Sequence, residues 1–237
     1  MPARPLRRFA ILCPMKEEMD AVLALGKTGA RHDILGFEGH EMECFAHPVL
    51  VVRCGVGKVH AAMTAQYVIG EYKPDAIIVT GVAGALAPDL EPGDAVVARD
   101  VIQHDMDCTA LGFARGEVPF TGERIFTCDP GLVAAALSAQ VGHKLRVGRI
   151  LAGDRFVTHS DKECHAYMTG ELAGDAVEME GAAVGQVCAR NKTRFVVVRT
   201  ISDRADGAAP VDFLKILPLA AANAAAVTRR ILETAHA

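Results

Sequence analysis

The 237-residue sequence predicts a single α/β domain, residues 1–237, in three layers: a central mixed, largely parallel β-sheet flanked by helices. Three observations predict it. Short apolar runs alternate with longer stretches of helical spacing along the whole chain. Several runs, AIIV and FVVV among them, are apolar at every position, as a sheet covered on both faces requires. No internal repeat, low-complexity linker or shift in composition marks a boundary, and 51% hydrophobic residues suffice for a sizeable core.

The elements follow in order. FAILCPM, residues 9–15, reads as a strand, and KEEMDAVLAL behind it carries Met19, Val22 and Leu23 at helical spacing. VLVVRCGVG leads into the helical KVHAAMTAQYVIGEY. AIIVTGVAG is a strand, and Pro88 to Gly93 a turn. From Asp94 to Pro119 strand-like alternation gives way to Gly, Asp and Pro, which predicts a protruding functional loop. LRVGRILAGD and AVEMEG are further strands, the second followed by the helix AAVGQVCARN, and RFVVVRTISD precedes a carboxy-terminal helix.

Bulk properties exclude several function classes. A net charge of −4 and an isoelectric point near 6.1 leave no broad basic surface, so neither nucleic acid nor an anionic membrane is expected as a partner, and a small molecule is. The apolar stretch Phe9 to Met15 is interrupted by proline and stops at Lys16, too short for a secretion signal. Even the tract Leu214 to Val227 is broken by Lys215, Pro218 and Asn223 before it reaches bilayer length. Seven scattered cysteines without a C-x-x-C pair fit free thiols in a reducing compartment, so a cytoplasmic location is expected.

Several motifs fail on inspection. CGVGKVH has Val52 where a phosphate-binding P-loop needs its first glycine and Val59 where it needs Ser or Thr. His60 occupies the third small-residue position of a dinucleotide fingerprint. The glycines suit tight strand-to-helix turns, backbone N–H contacts to a ligand, or both. His104-Asp105-Met106-Asp107 and His159-Ser160-Asp161 lack partners at zinc-ligand spacing and read as solvated loop residues, so no metal and no cofactor is expected. No G-x-S-x-G elbow supports a covalent nucleophile.

Three carboxylates remain: Glu18 after the first strand, Glu180 after AVEM and Asp203 after VVVRTIS, all at strand ends, where open α/β sheets bind ligands. Singly each reads as a helix cap, Asp203 above all. Together they suit cleavage of a glycosidic bond, whose oxocarbenium-like transition state needs an acid for the leaving group, a base for water and anchored sugar hydroxyls.

PMKEE, CGVGKVHAA, TGVAGALAP, PGDAVVARD, HDMDCTALGFARGEVP, AGDRFV, VEMEGAA and VVVRTISDRAD, in this order and over nearly the whole chain, resemble the 5′-methylthioadenosine/S-adenosylhomocysteine nucleosidases of the nucleoside phosphorylase and hydrolase superfamily. The resemblance implies a nucleoside phosphorylase-like fold, a purine nucleoside and water as reactants, a place in methionine salvage, and adenine and a 5′-thio-ribose as products. It makes Glu18 the base that activates water and Asp203 the acid that protonates purine N7. Glu180 would bind the ribose 2′ and 3′ hydroxyls above Met179, with Arg199 orienting it or serving as a structural ion pair. Phe156 would stack on the base and the Val157 backbone read its edge, unless both are core residues. Met15, Val82, Ser202 and Phe213 complete the implied pocket, and Leu111, Phe113 and Pro119 would reach the site of a second subunit in a homodimer.

The sequence departs from the family where Val82 replaces a serine hydroxyl. Related phosphorylases hold phosphate with an arginine, a hydroxyl and an amino-terminal arginine, where this chain offers Val79, Val82 and the acidic KEE. Hydrolysis is therefore the expected reaction. The alternatives are a nucleosidase for another 5′-modified purine nucleoside such as aminodeoxyfutalosine, a purine nucleoside phosphorylase, and a nucleoside-binding module without catalysis.

Overall fold

Apolar runs become the interior strands of one sheet because each buries both its faces and must pair along both edges. The computed structural model describes residues 6–157, 165–203 and 209–235, with the backbone alone for 209–214. Its strands are β1 (Phe9–Cys13), β2 (Lys27–Ile34), β3 (Phe37–Cys44), β4 (His47–Arg53), β5 (Ala76–Ala85), β6 (Ala95–Gln103), β7 (Phe126–Thr127), β8 (Leu145–Ala152), β9 (Ala176–Glu178) and β10 (Arg194–Asp203). Its α-helices are α1 (Lys16–Leu23), α2 (Lys58–Glu71), α3 (Pro130–Leu137), α4 (Gly181–Asn191) and α5 (Ala209–Thr234).

The sheet centre is parallel, as expected: β4, β1, β5 and β10 run side by side in one direction, and β6, β8 and β9 in another. Antiparallel pairings of β10 with β6 and of β5 with β9 join the two sets, so that β5, β10, β6, β8 and β9 close on themselves. Helices α2 and α4 pack together on one side, and α5 packs with α1 and α3 on the other. Ile77, Ile78 and Val79 of β5 and Val196, Val197 and Val198 of β10 are fully buried between these layers. Among the described residues no helix is long and apolar enough to cross a membrane.

Three parts differ from the sequence reading. The segment expected to loop from Asp94 begins with β6, nearly all of it buried. Its charged pair is accommodated at a bulge: the register against β8 slips between Ala98 and Asp100, and Asp100 meets Arg149 at 2.6 Å. The irregular part starts only at His104. A hairpin of β2 and β3 was not anticipated, since β2 is solvent-exposed from Lys27 to Asp33 and carries no apolar pattern. It turns at Leu35 and Gly36, both with positive φ (56° and 82°), the geometry of a two-residue hairpin loop. Helix α3 was also missed, although its Asp-Pro start is a recognisable cap: Asp129 accepts the Leu132 N–H at 3.0 Å.

Candidate active site

The strand ends bring the expected carboxylates to one cavity of about 230 Å³. Glu18, in the first turn of α1, accepts the Met15 N–H at 2.7 Å through one oxygen and the Val82 N–H at 3.1 Å through the other. The first bond is a capping contact, so the cap reading of Glu18 is right locally. The second aims the same carboxylate at β5 and the cavity.

Ser202 and Asp203 are neighbours in β10, and strict strand alternation would send them to opposite faces. The register against β5 slips between Ile201 and Asp203, and both residues line the cavity. The Ser202 hydroxyl donates to Asp203 at 2.8 Å. Asp203 thus ends a strand, and the helix-cap reading is corrected: its backbone belongs to the β5–β10 ladder, and α5 begins only at Ala209.

Glu178 and Glu180 lie two residues apart, the spacing that puts side chains on one side of an extended chain. Both reach the Arg199 guanidinium, Glu180 at 3.0 Å and Glu178 more closely. Glu178 also accepts the N–H groups of Glu180 and Gly181 at 3.0 and 2.9 Å, which ties it to the start of α4. Glu180 accepts the Gly57 N–H at 2.8 Å. The glycine turn ahead of α2 therefore serves a protein carboxylate, and its N–H at Gly57 is already committed.

Arg199 is 1% exposed. Burial works against its charge, but Glu178, Glu180 and Glu18 outweigh that and hold the guanidinium protonated. Burial pushes the Glu18 carboxyl up to about 7, against the opposing pull of Arg199 and of the Met15 and Val82 N–H groups. Glu180 is likewise raised, chiefly by burial and further by Glu178, with Arg199 and the Gly57 N–H opposing. A carboxylate poised near neutrality, beside a fixed cation, is equipped to take a proton from water.

Met15, Val82, Phe156, Val157 and Met179 line the same cavity with Glu18, Glu180, Arg199, Ser202 and Asp203. Phe156 is 47% exposed, so the core reading fails for it, whereas Val157 is buried among Leu86, Ile102 and Leu151 and lines the cavity as well. Val82 packs against Leu217 and Ala220 of α5 and Met15, an apolar wall beside Glu18. The Phe213 side chain lies outside the described residues. Leu111, Phe113 and Pro119 do not line the cavity; Leu111, in a 3-10 turn, is 71% exposed.

Sequence reasoning missed Glu178, whose signal was the Glu-x-Glu spacing of VEME, and it missed Val56 and Arg155 at the open end. It also took His104 for a solvated residue. His104 is 1% exposed and its Nδ1 lies 3.0 Å from the Tyr167 hydroxyl, because the close of β6 holds it under the π-helical turn Tyr167–Glu171. His159, Ser160 and Asp161 lie outside the described residues. The described cysteines are unbridged; Cys164 is not among them.

The family profile of the phosphorylase superfamily matches residues 8–233. The 5′-methylthioadenosine/S-adenosylhomocysteine nucleosidase of Actinobacillus succinogenes is 34% identical over 221 residues, 90% of this chain and 93% of that protein. The nucleosidase of the same kind from Neisseria meningitidis, solved with methylthio-immucillin-A, superposes with a TM-score of 0.91 at 33% identity over 97% of this chain and all of that one. Futalosine hydrolase of Helicobacter pylori superposes with a TM-score of 0.90 at 29% identity, over 96% and 98% of the two chains.

Proposed function

Given that the chain belongs to the phosphorylase superfamily, we propose that it is an N-glycosyl hydrolase acting on 5′-methylthioadenosine and S-adenosylhomocysteine. The observation that carries this reading is the convergence of three buried acids, Glu18, Glu180 and Asp203, on one cavity. Glu18 takes a proton from water as the oxygen attacks C1′. Asp203, oriented by the Ser202 hydroxyl, delivers a proton to N7 of the departing purine. Glu180, fixed by Arg199 and the Gly57 N–H, accepts the ribose hydroxyls, and those bonds strengthen as the ring gains positive charge. Phe156 stacks on the base and the Val157 backbone reads its edge.

Water is favoured over phosphate by the chemistry of the wall. A phosphate beside Glu18 would meet that carboxylate and the Val82 side chain, and the nearby cation, Arg199, is already paired with Glu178 and Glu180, so the desolvation goes largely uncompensated and costs several kcal/mol. A second reading, a nucleosidase for another 5′-modified purine nucleoside such as aminodeoxyfutalosine, is favoured by the likeness to futalosine hydrolase.

A homodimer is part of the proposal. Leu111 is 71% exposed on the segment that resembles the family's partner-reaching loop, and Phe120, just beyond that segment, is 89% exposed; a second copy would cover both. The unbridged thiols among the described residues support a reducing, cytoplasmic setting, and methionine salvage is the setting that the proposed reaction on methylthioadenosine would serve.

The test is incubation with each nucleoside, with and without phosphate, while both products are identified. Adenine and the free ribose that still carries its 5-thioether substituent are expected without phosphate. Strict phosphate dependence with a sugar 1-phosphate product indicates a phosphorylase, and binding without turnover indicates a binding module; either overturns the proposal.

A further inference from the structure

Two irregular segments meet at the open end of the cavity and serve different halves of the nucleoside. Residues 55–57 turn into α2 with positive φ at Gly55 and Gly57 (74° and 97°), and the Gly57 N–H holds Glu180, the ribose anchor. Residues 153–157 follow β8 and carry Phe156 and Val157, which serve the base. Neither segment belongs to a helix or strand, so the distance between them is left to side chains.

Three residues close a ring of hydrogen bonds across that gap. Asp154 accepts the Lys58 N–H at 2.7 Å and supplies the cap that Gly57, without a side chain, cannot give to α2. Asp105, just past the end of β6, accepts the Asp154 N–H at 2.9 Å through one oxygen and Lys58 Nζ at 2.7 Å through the other. Burial works against the Asp105 charge, but Lys58 and the Asp154 N–H hold its carboxyl below the usual carboxylate range. The two segments are at packing distance, for a Cβ on Gly57 would stand 3.1 Å from the Asp154 carboxylate. Asp105 itself does not line the cavity.

We propose that Asp105 is a positioning residue: by holding Lys58 and Asp154 together it sets the spacing between the base-holding segment and the ribose anchor Glu180. The inference rests on the nucleosidase reading. A nucleoside is a base and a ribose joined by one bond, and it gains from both subsites at once only where their spacing matches that bond to within about 0.5 Å. Free adenine fills one subsite and is indifferent to the spacing. That contrast separates positioning from a general loss of structure, which weakens both.

The test compares kcat/KM for methylthioadenosine with the Kd of adenine, measured by calorimetry, in wild type, Asp105→Asn, Asp105→Ala and the double variant Asp105→Ala/Lys58→Met. Asp105→Ala is expected to lower kcat/KM about tenfold and to leave the adenine Kd within about twofold. Asp105→Asn keeps an acceptor for the Asp154 N–H but loses the charge that Lys58 meets, so it should fall between; it keeps the size of the side chain and gives the same reading if Asp105→Ala does not fold. Adding Lys58→Met to Asp105→Ala should cost little more, since the ring is already open. Wild-type kcat/KM in Asp105→Ala, or an equal loss in kcat/KM and in adenine affinity, overturns the inference, while adenine release by the wild type leaves the nucleosidase reading standing. Absence of adenine release by the wild type from methylthioadenosine and from S-adenosylhomocysteine overturns that reading itself.

Discussion

Glu18 and Arg199 converge on a single backbone position: a Cβ at Gly81 would stand 2.5 Å from Glu18 Oε1 and nearer still to Arg199 Nη1. Only a glycine lets the base and the cation approach each other over the same face of β5. The Gly81→Ala variant must displace one of them, and a misplacement of that order costs about a hundredfold in rate. The expected result is a kcat reduced about a hundredfold with the circular dichroism of the wild type. Wild-type turnover in a folded Gly81→Ala protein would remove the Glu18–Arg199 pair from the reaction.

The pH profile follows from the same carboxylate. Glu18 acts only when ionised, and burial has raised it to about 7. The kcat/KM for methylthioadenosine should therefore fall on the acid side with an apparent pKa near 7, approaching tenfold per pH unit below it. A profile flat down to pH 5 rules out Glu18 as the base.

Stability should carry the matching signature with the sign reversed from a salt-bridged acid. A carboxyl whose folded pKa lies above its unfolded one holds its proton better when folded, so its contribution is largest below the unfolded value and is lost as pH rises through the folded one. Relative to wild type, Glu18→Gln should gain stability between about pH 4.5 and 7, by on the order of 3 kcal/mol, and change no further above that window. The offset itself includes a cost, since one amide oxygen cannot accept both the Met15 and Val82 N–H groups. Urea titrations of the two proteins at several pH values measure the difference, and a constant difference contradicts the raised carboxyl.

What the sequence made legible was decided by burial. β5 and β10 were plain because their opening runs, AIIV and FVVV, are apolar at every position, and Glu18, Glu180 and Asp203 were plain because each stands at or just past the end of a strand. The bulge at Ser202 was not, since a register slip is set by the partner strand. β6 was misread because Arg99 and Asp100 look like surface residues until Arg149 and Asp175 are brought beside them by the fold. His104 was misread for the same reason, its partner Tyr167 being far away in the chain. Leu111, Phe113 and Pro119 are carried by a family likeness alone, because no run of residues within one chain tells which surface a second copy covers.

Glu178 is expected to position Glu180 through Arg199. Glu178→Gln keeps the shape but takes one of the carboxylates from a buried guanidinium, so Arg199 turns more fully to Glu180 and Glu18. The KM should rise several-fold for a ribonucleoside and less for its 2′-deoxy analogue, which lacks one hydroxyl for Glu180 to hold. A purely structural loss would lower stability and leave the ratio between the two substrates unchanged.

Asp203 matters only if the leaving group needs a proton. Adenine departs poorly as an anion, so Asp203→Asn should lower kcat for methylthioadenosine by a factor on the order of a thousand. A 5′-thioriboside of 4-nitrophenol departs as a stable phenolate and requires no acid. Its hydrolysis should survive Asp203→Asn within about tenfold yet remain sensitive to Glu18→Gln, because the base acts on water whatever the leaving group is. The Ser202→Ala variant removes the hydroxyl bonded to Asp203 at 2.8 Å and should show a weaker form of the same split. Equal losses on both substrates would mean that Asp203 holds the site together and does not protonate the base.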